Sequence, residues 1–152
     1  MKIDELDKKI LEHLQEDSKK TNKEISNDLK LSVTAVYERI RKLEKAGVIS
    51  KYVALLDTEK VEKGFMVLCQ IKLIQHKKDF LTRFEKEVTS LPEVIECFHV
   101  SGDYDYILKV LVKDMDAYRE FMVTKLTNLD HIGSTKSIFT ISKVKQSTVV
   151  SL

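Results

Sequence analysis

With 152 residues, 43% of them apolar, the chain has nonpolar material for one ordinary domain or two small ones. A third of it is charged (33%), yet the net charge is only +2, so charge alone does not argue for nucleic acid, and two cysteines exclude a disulfide-built scaffold and fit a reducing compartment. The opening MKIDELDKK lacks an apolar signal core and no apolar run approaches the length of a bilayer span, so a cytoplasmic protein without a membrane partner is expected.

In chain order, Ile3, Leu6, Ile10, Leu11 and Leu14 recur at spacings of three and four, predicting an amphipathic helix from Asp4 to about Glu16. TNKEISNDL predicts a second helix, where Thr21 and Glu24 have capping-box spacing and Ile25 and Leu29 supply the inward face. The third is SVTAVYERIRKLEKAG. Ser32 can cap its start and Gly47 can close its end in a left-handed conformation. Val33, Val36, Ile40 and Leu43 fall on one side, and Thr34, Glu38, Arg41, Lys42 and Lys45 on the other. Three short helices with a tight second turn form the pattern of a helix-turn-helix. VISKYVALL follows, β-branched and aromatic, and predicts a strand or short ribbon that would make the unit winged. Residues 1–56 hold 12 Lys/Arg against 10 Asp/Glu, whereas 57–152 hold 14 of each, so the positive excess lies wholly in this part.

DTEKVEKG, residues 57–64, reads as a linker. Beyond it the periodicity alternates. FMVLCQIKLI is strand-like, DFLTRFEKEVTSL helical, VIECFHVS and YDYILKVLV strand-like, DAYREFMVTKL helical and STKSIFTISKVK strand-like. The order β-α-β-β-α-β predicts a ferredoxin-like domain over residues 65–152, with both helices on one face of an antiparallel sheet. Apolar residues on both faces of its strands predict that the uncovered face packs on another subunit. The fold class expected is α+β: a winged helix-turn-helix domain followed by this βαββαβ domain.

LDKKILEHLQEDSKKTNKEIS and LKLSVTAVYERIRKLEKAGVISKYVALLD, with the spacing Ser-x-x-x-Val-x-x-Arg-Ile-x-x-Leu-x-x-x-Gly-Val-Ile, strongly resemble the DNA-binding half of the leucine-responsive regulatory protein/AsnC (Lrp/AsnC) family of transcription regulators. LPEVIECFHVSGDYDYILKVLVKDMDAY and STKSIFTISKVKQS resemble that family's regulatory (RAM, ACT-like) domain. Two departures stand out. Val33 replaces a frequent proline, and Asp130 and His131 in LTNLDHI replace part of a Leu-Pro-Gly-Val pattern.

The resemblance implies a sequence-specific regulator that binds a pseudo-palindromic operator in double-stranded DNA. It also implies an amino acid or related small effector, and a homodimer assembling to a tetramer or octamer. Lys19, Lys20, Lys23, Arg41, Lys42 and Lys45 are candidates for phosphate contacts. Ser32, Thr34, Ala35 and Glu38, near the start of the third helix, are candidates for base contacts; Glu38 can accept from a cytosine amino group or simply pair with Lys42. Arg39, on the flank, can reach phosphate or brace the domain. For the effector, Gly102, Asp103, Tyr104 and Asp105 form a tight turn, and the resemblance implies that Asp105 faces a ligand ammonium, with Thr135 and Ser137 nearby. The residues themselves equally allow a hairpin turn capped by Asp105.

No catalytic residue, metal site or cofactor is expected. His13, His76, His99 and His131 lack ligand spacing with the cysteines, there is no phosphate-binding glycine loop, and Asp103 with Asp105 has no evident base or electrophile partner. Two alternatives remain at this stage: an effector-independent architectural DNA-binding protein, and a siroheme-decarboxylase-like enzyme, which would need a haem-pocket histidine and cationic clamps in its second domain.

Overall fold

Asp4 opens α1 (Glu5–Glu16) with a reciprocal cap: its carboxylate accepts from the Asp7 amide at 2.8 Å, and the Asp7 carboxylate accepts from the Asp4 amide at 3.1 Å. The structure, a computed structural model, describes residues 2–152. Thr21 and Glu24 repeat the device at α2 (Asn22–Leu29). Ser32 caps α3 (Val33–Lys45), its Oγ accepting from the Ala35 amide at 3.1 Å. The inward stripes of the three helices meet in one core of Ile10, Leu11, Ile25, Val36, Ile40 and Leu43. At the end of α3, Gly47 takes φ +71, the Val48 amide donates back to the Leu43 carbonyl and the Gly47 amide to that of Glu44. This closure satisfies carbonyls the helix would otherwise leave unpaired.

The expected strand over VISKYVALL does not form as a strand: among the described residues nothing pairs with it. A single strand has no ladder of its own to stabilise it, and the segment is tied differently. The Tyr52 hydroxyl donates to Glu44 Oε1 at 3.0 Å, and burial together with that carboxylate pushes the phenol pKa up to about 12. Val53, Leu55 and Leu56 stay exposed.

The chain divides into two units. Residues up to Leu55 together with Val144–Leu152 form the first, and Leu56–Lys143 the second. The final segment, grouped from sequence with the second domain, packs with the helices. Gln15 on α1 grips its backbone, Nε2 donating to the Val150 carbonyl at 3.0 Å and Oε1 accepting from the Val150 amide at 2.6 Å.

In the second unit the elements run β1 (Phe65–Leu73), α4 (Lys78–Thr89), β2 (Val94–His99), β3 (Tyr106–Val112), α5 (Met115–Thr124) and β4 (Ile132–Phe139). The sheet order is β2-β3-β1-β4, with every neighbouring pair antiparallel. This is the ferredoxin-like arrangement that the sequence predicts. β4 is shorter than expected: it ends at Phe139 opposite Val67, with one further bond beyond it, from the Thr140 amide to the Met66 carbonyl at 3.3 Å. Val67, Cys69, Ile71 and Leu73 alternate inward from β1, as Tyr106, Leu108, Val110 and Val112 do from β3, and they pack on Phe84, Val88, Tyr118 and Phe121 of α4 and α5. The period of two then places Met66, Leu68, Phe98, Ile107, Leu111 and Ile138 on the opposite, uncovered face.

Candidate functional site

The outward side of α3 carries no duty in the core. Thr34, Glu38, Arg41, Lys42 and Lys45 are all exposed, and Ala35 is half-buried beside them. Glu38, Arg41, Lys42, Glu44 and Lys45 line a shallow hollow along this side. Glu38 makes no ion pair with Lys42 among the described residues, so its carboxylate is free to accept from another partner. Ser32 has its Oγ engaged as the cap, which leaves its hydroxyl proton to donate. Tyr37 was missed from the sequence. It is 44% exposed, and the Arg41 guanidinium lies 5.8 Å from its ring centroid, a cation–π pair that steadies Arg41. The signal was available: Tyr37 and Arg41 are four apart on the outward side, where neither serves the core.

Arg39 resolves as a brace. Its Nη1 donates to Asp7 Oδ1 at 2.6 Å and to Asp4 Oδ2 at 2.8 Å, locking the middle of α3 to the cap of α1. Of the two roles the sequence leaves open for it, these bonds supply the brace, engaging the guanidinium with the protein's own carboxylates. The Asp7 amide and Arg39 hold the Asp4 carboxyl below its usual range, and Asp4 and Asp7 push the guanidinium further up. Lys20 is also engaged: its Nζ donates to Asp28 Oδ2 at 2.6 Å and lies 2.8 Å from His13 Nδ1. Lys19 and Lys23 are exposed.

The structure divides the six residues proposed around the effector. Asp103 and Tyr104 line an open hollow of about 770 Å³ with Gln70, His99, Val100, Ser101, Ile107 and Lys136. Gly102 beside them has φ +122, a conformation that a side chain resists even though the space around it is open. Asp105 points elsewhere. Its Oδ2 accepts from the Leu73 amide at 2.7 Å and its Oδ1 from His76 Nε2 at 2.8 Å. Burial works to raise its pKa, but the Leu73 amide and the His76 imidazole outweigh it and hold the carboxyl below its usual range.

Thr135 and Ser137 lie on the helix-covered side of the sheet, opposite Ile71 and Cys69. Ser137 Oγ is 2.6 Å from the Tyr118 hydroxyl on α5, next to the buried Cys69 thiol, so the two strand positions do not converge on the hollow. Lys136, between them, does. Strand alternation could have found it, since the two faces swap with each residue. Gln70 and His76 carried no signal of their own.

A helix-turn-helix whose reading helix is free along its outward side, followed by a ferredoxin-like unit with a polar turn at one end, defines a two-part DNA-binding regulator. Residues 3–50 match the winged helix-turn-helix DNA-binding domain, and residues 66–150 match the Lrp/AsnC ligand binding domain. The chain belongs to the Lrp/AsnC family of transcriptional regulators. It is 39% identical over 144 residues to the leucine-responsive regulatory protein of Haemophilus influenzae, covering 95% of this chain and 87% of that one. With the leucine-responsive regulatory protein of Escherichia coli (strain K12) the identity is 38% over 145 residues, covering 95% and 88%. Among solved structures, an AsnC family transcriptional regulator from Agrobacterium tumefaciens superposes with a TM-score of 0.93 at 38% identity, covering 97% of this chain and 96% of that one. A transcriptional regulator from Neisseria meningitidis, solved in complex with L-methionine, superposes with a TM-score of 0.94 at 32% identity, covering 99% and 97%. No helix among the described residues is long and apolar enough to cross a membrane.

Proposed function

We propose that this protein is a cytoplasmic, sequence-specific transcription regulator that reads a pseudo-palindromic site in double-stranded DNA and answers to a free amino acid. The observation that carries the DNA half is the outward side of α3, polar and basic, uncommitted to the core and clear of internal ion pairs at Glu38. Ser32, Thr34, Ala35 and Glu38 are the readers, because short side chains at a helix start let the backbone approach the groove. Arg41, Lys42 and Lys45, with Lys19 and Lys23, hold phosphate, and Lys20 joins them only by leaving Asp28.

The effector binds between ligand-binding units at the Gly102–Asp105 turn, its ammonium on Asp105 and its carboxylate on backbone amides of the turn. The relative solved with L-methionine supports an amino acid as the ligand class. Two copies pair through the open sheet face around Phe98, Ile107 and Ile138, and these dimers assemble into tetramers or octamers, so that two copies of α3 address the two half-sites. The function is one of binding, with no catalytic step. An effector acts here by binding one assembly or arrangement more tightly than another.

A thermal-shift screen of the common amino acids, followed by light scattering and DNA binding with any hit, tests the reading. A ligand that stabilises the protein and changes its assembly or its DNA affinity is the expected result. A saturating ligand that changes neither would remove the proposed mechanism.

A further inference from the structure

The proposed effector site requires Asp105 to offer a carboxylate oxygen to an ammonium, yet both of its oxygens are engaged within the chain. The two partners differ in kind. Leu73, whose amide holds Oδ2, is the last residue of β1 and is paired across to Ile132 of β4, so withdrawing it would open the end of a central strand. His76, on Oδ1, lies in the short segment between β1 and α4 with its side chain 59% exposed, and nothing else among the described hydrogen bonds holds its ring. An ionised carboxylate only accepts, so His76 Nε2 carries the proton of this bond. It presents an N–H where an ammonium would present one. Lys72 is the other cation near the carboxylate, and it makes no ion pair with it within 4 Å.

We infer that His76 is a tethered competitor for the effector: its imidazole holds the Asp105 oxygen that the α-ammonium of an amino acid takes on binding. The inference rests on the preceding reading that Asp105 faces the ligand, and adds the residue that sets how readily it does so. The exchange keeps the carboxylate paired throughout, with Leu73 fixing its orientation and a neutral or cationic nitrogen donor replaced by a cationic one. It also loosens the segment leading into α4, whose N-cap residue Lys77 makes no side-chain cap. That segment is anchored on both sides, where the Ile74 amide donates to the His131 carbonyl at 2.8 Å and the Lys77 carbonyl accepts from the Phe80 and Leu81 amides, so release is confined to Gln75 and His76.

Calorimetric titration of L-methionine and L-leucine into the full-length wild type, His76→Ala and Asp105→Asn proteins tests this, with His76 imidazole nitrogen–proton NMR spectra of the wild type recorded alongside. Thermal unfolding first establishes that each variant is folded. His76→Ala should bind about two- to five-fold more tightly, the range that loss of one exposed ion pair supports, and the His76 ring resonances should move to solvent-like values as the wild type saturates. Weaker binding by His76→Ala would make His76 a ligand contact and overturn the inference, as would unchanged affinity with unmoved ring resonances. Wild-type binding retained in full by Asp105→Asn, or no binding of either amino acid by the wild type, would instead remove the underlying effector site, and the inference with it.

Discussion

Replacing Arg39 with methionine should destabilise the helical unit while leaving its electrostatic grip on DNA intact. The magnitude follows from the two carboxylates that the guanidinium serves. Asp4 is half-exposed, so solvent screens its ion pair and it adds little. The Asp7 side chain is only 7% exposed, and without Arg39 it retains a single donor, the Asp4 amide. A hydrogen bond between charged groups in that setting contributes about 1.5–3 kcal/mol. The expected loss is therefore about 1.5–3 kcal/mol, and at about 4–8 °C per kcal/mol for a small domain the unit's thermal transition should fall by roughly 6–24 °C.

Differential scanning calorimetry of Arg39→Met, Asp7→Asn and the double variant measures it, and the two changes should couple by about 1–3 kcal/mol because they break the same contact. The acid side follows from Asp4: its pKa is depressed in the folded protein, so its contribution is present above the unfolded carboxylate pKa and is lost as pH falls through the folded one. Arg39→Met should shrink that acid-sensitive component. If Arg39→Met left the transition unmoved and instead lowered the slope of log affinity against log salt by about one, Arg39 would be a phosphate contact and the brace would be wrong.

Glu38→Ala should alter which DNA sequences are preferred, whereas Lys42→Ala should weaken all DNA and flatten the salt slope by about one; binding assays over several salt concentrations separate the two, and equal weakening of every sequence by both variants would contradict the division of labour. His131 has φ +71 and its ring packs on Phe80 with centroids 4.0 Å apart. His131→Ala keeps the left-handed backbone but loses the ring contact, and should cost about 1 kcal/mol; His131→Gly loses the same contact but relieves the backbone by a similar amount, and should fall within about 0.5 kcal/mol of wild type in urea unfolding. Phe98 is 51% exposed on the uncovered sheet face, so Phe98→Asp should leave the fold intact and shift sedimentation toward the monomer.

Much of this fold was legible because its signals are local. Helical spacing found α1 to α5, capping pairs such as Thr21 with Glu24 marked the starts, and strand alternation located the strands. What escaped depends on partners distant in sequence. VISKYVALL has strand composition, but no strand among the described residues pairs with it. β4 stops at Phe139, although its strand-like composition runs on to Lys145. Gln15 holds the Val150 backbone across a separation that no periodicity encodes.

The sites divide in the same way. That Thr34, Glu38, Arg41, Lys42 and Lys45 share an exposed side was readable from one helix alone. The contacts of Arg39 were not, because they are made with Asp4 and Asp7 at the start of another helix. At the effector turn the family resemblance grouped Thr135 and Ser137 with Gly102–Asp105, whereas the sheet sends Ser137 toward Tyr118 and Lys136 toward Asp103. His76 became visible only once its imidazole stood against Asp105.

The central claim, that α3 reads sequence, is tested most directly by selecting DNA from a random pool with the full-length protein and comparing its affinity for the selected and the random duplexes at about 0.15 M salt. The account predicts a pseudo-palindromic site bound at least about a thousand-fold more tightly than random DNA. Comparable affinity for both would contradict it and make the protein an architectural DNA binder.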